Sequence, residues 1–178
     1  MEERELLLLE IELFSKYVQS RKTLLNLANK AFSLKTGVSD GEISKIINRN
    51  KKSVSLHSFY NIAVNSGDTI ANVRDAVYPH RSFELKKGSP TKKAKKRRTN
   101  FGQYMKEHFE KGDTNTVEDK NSFENILAKT GIPEQRLKDI YFNTGAPEPY
   151  EFLLIEKAVG KKPGEMMADY VAKYPVKK

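Results

Sequence analysis

Apolar residues recur every three or four positions along most of this chain and seldom alternate, so the pattern predicts helices with little or no sheet. Leu9, Leu13, Phe14, Tyr17 and Val18 fall at helical spacing, and Arg21-Lys22 supply the cations that a helix C-terminus favours. Thr23 is then expected to cap a second helix carrying Leu24, Leu27, Ala28, Ala31 and Phe32. Ser39 is placed to cap a third, with Glu42 as its capping-box partner and Ile43, Ile46 and Ile47 as the buried face. Ser55 or His57 opens a fourth helix bearing Leu56, Phe59, Ile62 and Ala63, which stops at Ser66-Gly67. Thr69 to Val77 gives a short fifth helix before Pro79.

The second half repeats the plan. Phe101, Tyr104, Met105 and His108 echo Phe14, Tyr17 and Val18 in a first helix. A polar loop from Gly112 to Asn121 follows, then a second helix with Phe123, Ile126 and Leu127. Pro133 suits the first turn of a third helix, Tyr150 to Val159 a fourth, and Pro163 to Tyr174 a fifth. The repeat is sharpest at Thr36-Gly37-Val38 with Ile43 and Ile46, which recurs 94 residues later as Thr130-Gly131-Ile132 with Leu137 and Ile140. Glycine supplies the left-handed conformation that ends one helix and lets the next leave steeply, which is the logic of a helix-turn-helix.

Charge divides the chain further. Residues 1–80 carry +2, residues 101–178 carry −1, and the twenty residues 81–100 carry +8 of the total +9. That middle stretch holds Gly, Ser and Pro and almost no apolar side chain, so it is expected to be a disordered or extended linker held open by self-repulsion. The 178 residues are then two small domains, 1–80 and 101–178, joined by the basic flexible linker 81–100. There is no cysteine, which excludes disulfides and thiolate metal sites.

The segment from Thr36 to Arg49 resembles the turn and recognition helix of the lambda-repressor-like, or Xre-type, DNA-binding family. Ser55 to Ala63 is similar to that family's fourth helix. In the second half, Leu127 to Ile132 and Asn143-Thr144-Gly145 resemble its second helix and the turn after the recognition helix. Glu151 to Gly160 and Lys162-Pro163-Gly164-Glu165 resemble its last two helices. The likeness implies an all-α fold of two tandem five-helix lambda-repressor-like helix-turn-helix domains. It also implies sequence-specific binding of double-stranded DNA by a prokaryotic or phage transcriptional regulator. The chain departs from the family where Thr23-Leu24-Leu25-Asn26 has no Gln, and where Ser33-Leu34 replaces the usual Leu-Ala before Gly37.

On that resemblance the third helix enters the major groove by its N-terminal end, presenting Ser39, Asp40, Gly41, Glu42, Ser44 and Lys45. Ser44 and Lys45 can donate to base edges; Asp40 or Glu42 accepts from a cytosine amino group or only caps the helix. Arg49, Lys51 and Lys52 follow where the family grips phosphate, or form a solvated basic loop. In the second copy Gln135, Arg136 and Lys138 are exposed readers, or that domain serves dimerisation or a protein partner instead. In the linker Lys92, Lys93, Lys95, Lys96, Arg97 and Arg98 are expected to neutralise phosphates without reading sequence, or to act as a spacer or import signal.

No phosphate loop, nucleophile elbow or spaced carboxylate pair occurs, and the three histidines are far apart, so the chain is read as no enzyme and as needing no cofactor. The run Leu6 to Leu9 is too short to span a membrane, and a cytoplasmic, nucleoid-associated location is expected. Leu6, Leu9 and Leu13 form a stripe that either pairs two protomers as a homodimer or covers the chain's own core. The rival reading of the whole is an adaptor that uses helix-turn-helix folds to bind protein and touches DNA only through the linker.

Overall fold

The computed structural model describes residues 1–86, 97–110 and 121–176. Among these the chain is all helical, with no strand, and it divides into two compact units. One forms around Met1–Ser82, the other around Phe83–Pro147 with Glu151–Tyr174. Nearly all of the expected polar loop, up to residue 120, and most of the expected linker, including Lys92, Lys93, Lys95 and Lys96, lie outside the described residues.

The first unit holds α1 (Glu3–Leu25), α2 (Asn29–Thr36), α3 (Asp40–Ile47), α4 (Leu56–Asn65) and α5 (Ile70–Val77). Phe14, Val18, Phe32, Ile43, Phe59, Ile62 and Val73 are its buried centre. Three polar anchors set the helices. Ser15 Oγ donates to the Ile47 carbonyl at 2.7 Å, tying the end of α3 to α1. Asn65 Nδ2 donates to the Thr36 carbonyl at 2.8 Å, tying the end of α2 to α4. Tyr17 Oη donates to Asp68 at 2.7 Å, just ahead of α5.

The start of α2 differs from expectation. Thr23 caps nothing: its hydroxyl donates back to the Gln19 carbonyl at 3.0 Å and α1 runs on through Leu25. Asn26 then ends α1 with φ 52°. The second helix starts at Asn29 and buries only Phe32 and Thr36, leaving Leu24 and Ala31 exposed. The expected stripe of Leu6, Leu9 and Leu13 is half-buried, whereas Leu8 stands 60% exposed.

The second unit holds α6 (Asn100–His108), α7 (Phe123–Thr130), α8 (Glu134–Lys138), a π-helical turn (Asp139–Asn143), α9 (Pro149–Ala158) and α10 (Glu165–Lys173). Phe101, Tyr104 and Met105 are buried, as Phe14, Tyr17 and Val18 are. Tyr104 Oη reaches Asp169 at 2.7 Å, as Tyr17 reaches Asp68. Pro133 stands one residue before the first turn of α8 rather than in it.

Glu156, 1% exposed, caps α10 by accepting the Gly164 and Met167 N–H groups, each at 2.9 Å. Burial pushes its carboxyl up to about 7, against the pull of those amides. The folded unit therefore holds this proton more tightly than the unfolded chain does. Its contribution is full below about pH 4.5 and is lost as pH rises through about 7, on the order of 3 kcal/mol. Glu107, Asp139 and Glu165 have lowered pKa values and act below that window. Urea unfolding at pH 5 and at pH 8 is expected to separate the wild type clearly and Glu156→Gln much less. An equal separation in both would remove Glu156 as the source.

Candidate nucleic-acid interface

The turns before α3 and α8 are built alike. Thr36 Oγ1 donates to the Phe32 carbonyl and Thr130 Oγ1 to the Ile126 carbonyl, both at 2.8 Å. The Val38 and Ile132 N–H groups donate to those same hydroxyls at 3.3 and 3.4 Å. Gly37 and Gly131 lie between at φ 76° and 67°, which a side chain would strain. Val38 and Ile132 are buried, as are Ile43 with Leu137 and Ile46 with Ile140.

The two following helices then differ. α3 is a regular eight-residue helix, and Ser39 Oγ accepts the Glu42 N–H at 3.2 Å. The capping box is half formed, because the Glu42 carboxylate does not return to Ser39. It pairs instead with Lys51 Nζ at 2.9 Å and accepts from Ser58 Oγ at 3.3 Å. One of the two acids at this helix end is thus neutralised within the unit. Ser39, Asp40, Gly41 and Lys45 remain exposed, and nothing lies within 4 Å of where a Gly41 side chain would begin. Ser44 is half-buried; Lys52 is exposed. Arg49 is exposed at φ 59°, with Glu12 only at 3.9 Å. Among the described residues Lys45 and Lys52 have no ion-pair partner.

α8 keeps α-helical form for five residues and then widens into the π-helical turn. The offset between copies grows here, from 94 at Ile46 and Ile140 to 96 at the left-handed Arg49 and Gly145. A π-helical turn holds one residue more than an α-helical one and takes up part of that difference. Its candidate readers are engaged inside their own unit. The Arg136 guanidinium pairs through two nitrogens with the buried Glu151 carboxylate, at 2.7 and 2.8 Å, and touches the Ala146 carbonyl at 3.2 Å. Gln135 Nε2 donates to Asp139 at 3.1 Å and Lys138 pairs with Glu134 at 2.9 Å. Hydrogen bonds from Asn143 and Gln135 hold the Asp139 carboxyl below its usual range.

Comparison with protein-family models, with curated proteins and with solved structures finds no match to this chain.

Of the linker cations, Arg97 is exposed. Arg98 is turned inward, its guanidinium on Glu110 at 2.6 and 2.8 Å and on the Gly102 carbonyl at 3.2 Å. Arg81 is also not a loose cation: it binds Glu3 at 2.8 Å and the buried Glu10. The partners missed from sequence, Ser58 for Glu42 and Glu151 for Arg136, lie sixteen and fifteen residues away on other helices. No local pattern marks such pairs. No helix among the described residues is long and apolar enough to cross a membrane.

Proposed function

We propose that the chain is a sequence-specific double-stranded DNA-binding protein of the lambda-repressor-like type, a prokaryotic or phage transcriptional regulator with two tandem helix-turn-helix domains. In this reading the first domain does the reading. The observation that carries it is the end of α3: an open, capped helix start whose Glu42 is withdrawn onto Lys51 and Ser58 while Lys45, Arg49 and Lys52 face solvent. Ser39, Asp40, Ser44 and Lys45 would meet base edges, and Arg49 and Lys52 the phosphates. Exposed linker cations such as Arg97 would add affinity that falls with salt.

The second domain supports a different use. Its short α8 and the Arg136–Glu151 pair leave little to offer a base, so we assign it to a protein partner. The adaptor reading remains the rival for the whole chain.

Selection of bound duplexes by full-length protein at about 150 mM salt tests the reading. One motif is expected to be enriched. Lys45→Ala and Arg49→Gly are each expected to weaken it roughly tenfold, about 1–2 kcal/mol. Glycine suits the φ of 59° at position 49, so a loss there reads as a lost contact rather than a damaged fold. Gln135→Ala and Lys138→Ala are expected to leave binding unchanged. Binding of all duplexes alike would establish the adaptor instead.

A further inference from the structure

In sequence Lys51 belongs with Arg49 and Lys52 as a candidate phosphate contact; in the structure it stands apart from both. The Arg49 side chain is 53% exposed and Lys52 is exposed, whereas the Lys51 side chain is 29% exposed. Lys51 lines a small apolar crevice with Ile11, Phe14, Ile46 and Val54. Its Nζ meets both oxygens of the Glu42 carboxylate, at 2.9 and 3.1 Å. Buried Ser58, on α4, donates to the same carboxylate at 3.3 Å.

The second unit carries a matching clamp with the charge exchanged. Arg136 stands 94 residues after Glu42, the offset of the turns that precede the two helices. Ser58 and Glu151 each precede a fully buried phenylalanine, Phe59 on α4 and Phe152 on α9. The third residue of α3 therefore bonds to α4 as the third residue of α8 bonds to α9. Glu151 neutralises Arg136 directly. Ser58 has no charge to offer, so in the first unit the neutralising group comes from the chain after α3, as Lys51.

Glu42 lies in the first turn of α3, where the positive end of the helix and the Ser39 N–H draw a carboxylate. Released there, it would join Asp40 at the end of the helix that meets DNA, and a second acid at that end repels phosphate. We infer that Lys51 is a positioning residue. It acts on DNA binding by holding the Glu42 carboxylate against α4 and away from the groove, not by touching phosphate. The inference rests on the reading of α3 as the DNA-reading helix.

The test is the affinity of full-length protein for the duplex it selects, measured for the wild type, Lys51→Met, Glu42→Gln and the double variant. Circular dichroism corrects each affinity for the folded fraction. Lys51→Met keeps the apolar stem and is expected to weaken binding about tenfold at about 150 mM salt. In the Glu42→Gln chain the same change is expected to cost less than about twofold, because no carboxylate is left to hold. Salt dependence is the second readout. The double variant is expected to keep the slope of Glu42→Gln, whereas losing a lysine that touches phosphate takes about one from the slope. A cost of Lys51→Met that persists in the Glu42→Gln chain, or a slope that falls by about one, would overturn the inference and return Lys51 to the phosphates. So would a Lys51→Met chain that binds as the wild type does. A wild type that selects no duplex would overturn the reading of α3, and this inference with it.

Discussion

Arg81→Ala is expected to destabilise the first unit by about 4 kcal/mol, the cost of leaving a buried carboxylate without its counter-ion. Glu10 is 2% exposed, and burial raises its pKa while the Arg81 hydrogen bond and charge oppose the rise. Arg81 Nη2 donates to Glu10 Oε2 at 3.1 Å and to Glu3 at 2.8 Å, and its Nε donates to Glu10 as well. Without the guanidinium, burial and the nearby Glu3 charge are opposed only by His80, and the folded pKa climbs further above its unfolded value. Protonation then relieves the strain, so the loss should be large at pH 8 and should shrink towards pH 5. Glu10→Gln in the same chain is expected to recover at least half of it, because the neutral amide has no charge to desolvate. Urea unfolding of the single and double variants decides the matter. An Arg81→Ala loss that is the same at both pH values, and untouched by Glu10→Gln, would show that the pair is not what holds this region.

Arg81 also marks where sequence reading stopped. As one cation among nine in residues 81–100 it read as part of a loose linker, and its partners stand 71 and 78 residues earlier. What was legible was local. The Thr-Gly turns were found because each uses only its own neighbours: a threonine hydroxyl reaching four residues back and a left-handed glycine. The helical character of most segments followed from spacing alone. Thr23 misled because a threonine suits an N-cap and the interior of a helix alike, and here the leucines after it kept α1 going. The contrast between α3 and α8 was hidden for the reason that hid Arg81. Both helices expose similar polar residues in sequence, and only the partners brought in from α4 and α9 decide which remain available.

Gly102→Ala is expected to cost at least about 3 kcal/mol and to unfold much of the second unit at 37 °C. Nothing in the sequence singles out this residue, a glycine in the first turn of a helix. A methyl there would begin 2.2 Å from the Tyr141 carbonyl oxygen and 3.1 Å from its carbon, both backbone atoms that cannot rotate aside. The closeness is built in. The Thr99 N–H donates to that same carbonyl at 2.9 Å, and Thr99 Oγ1 reaches the Ile140 and Tyr141 carbonyls at 2.7 and 3.0 Å. Tyr141 lies in the π-helical turn, whose carbonyls are not all taken up by the helix's own ladder. The start of α6 satisfies two of them and must lie against the turn to do so, which only a residue without a side chain allows. Thr99→Val, which keeps the volume and removes the hydroxyl, should therefore cost less, about 1–2 kcal/mol. Thermal unfolding of both variants gives the order. If Gly102→Ala melts within a degree or two of the wild type, α6 is free to shift, and the wide turn is not held by this contact.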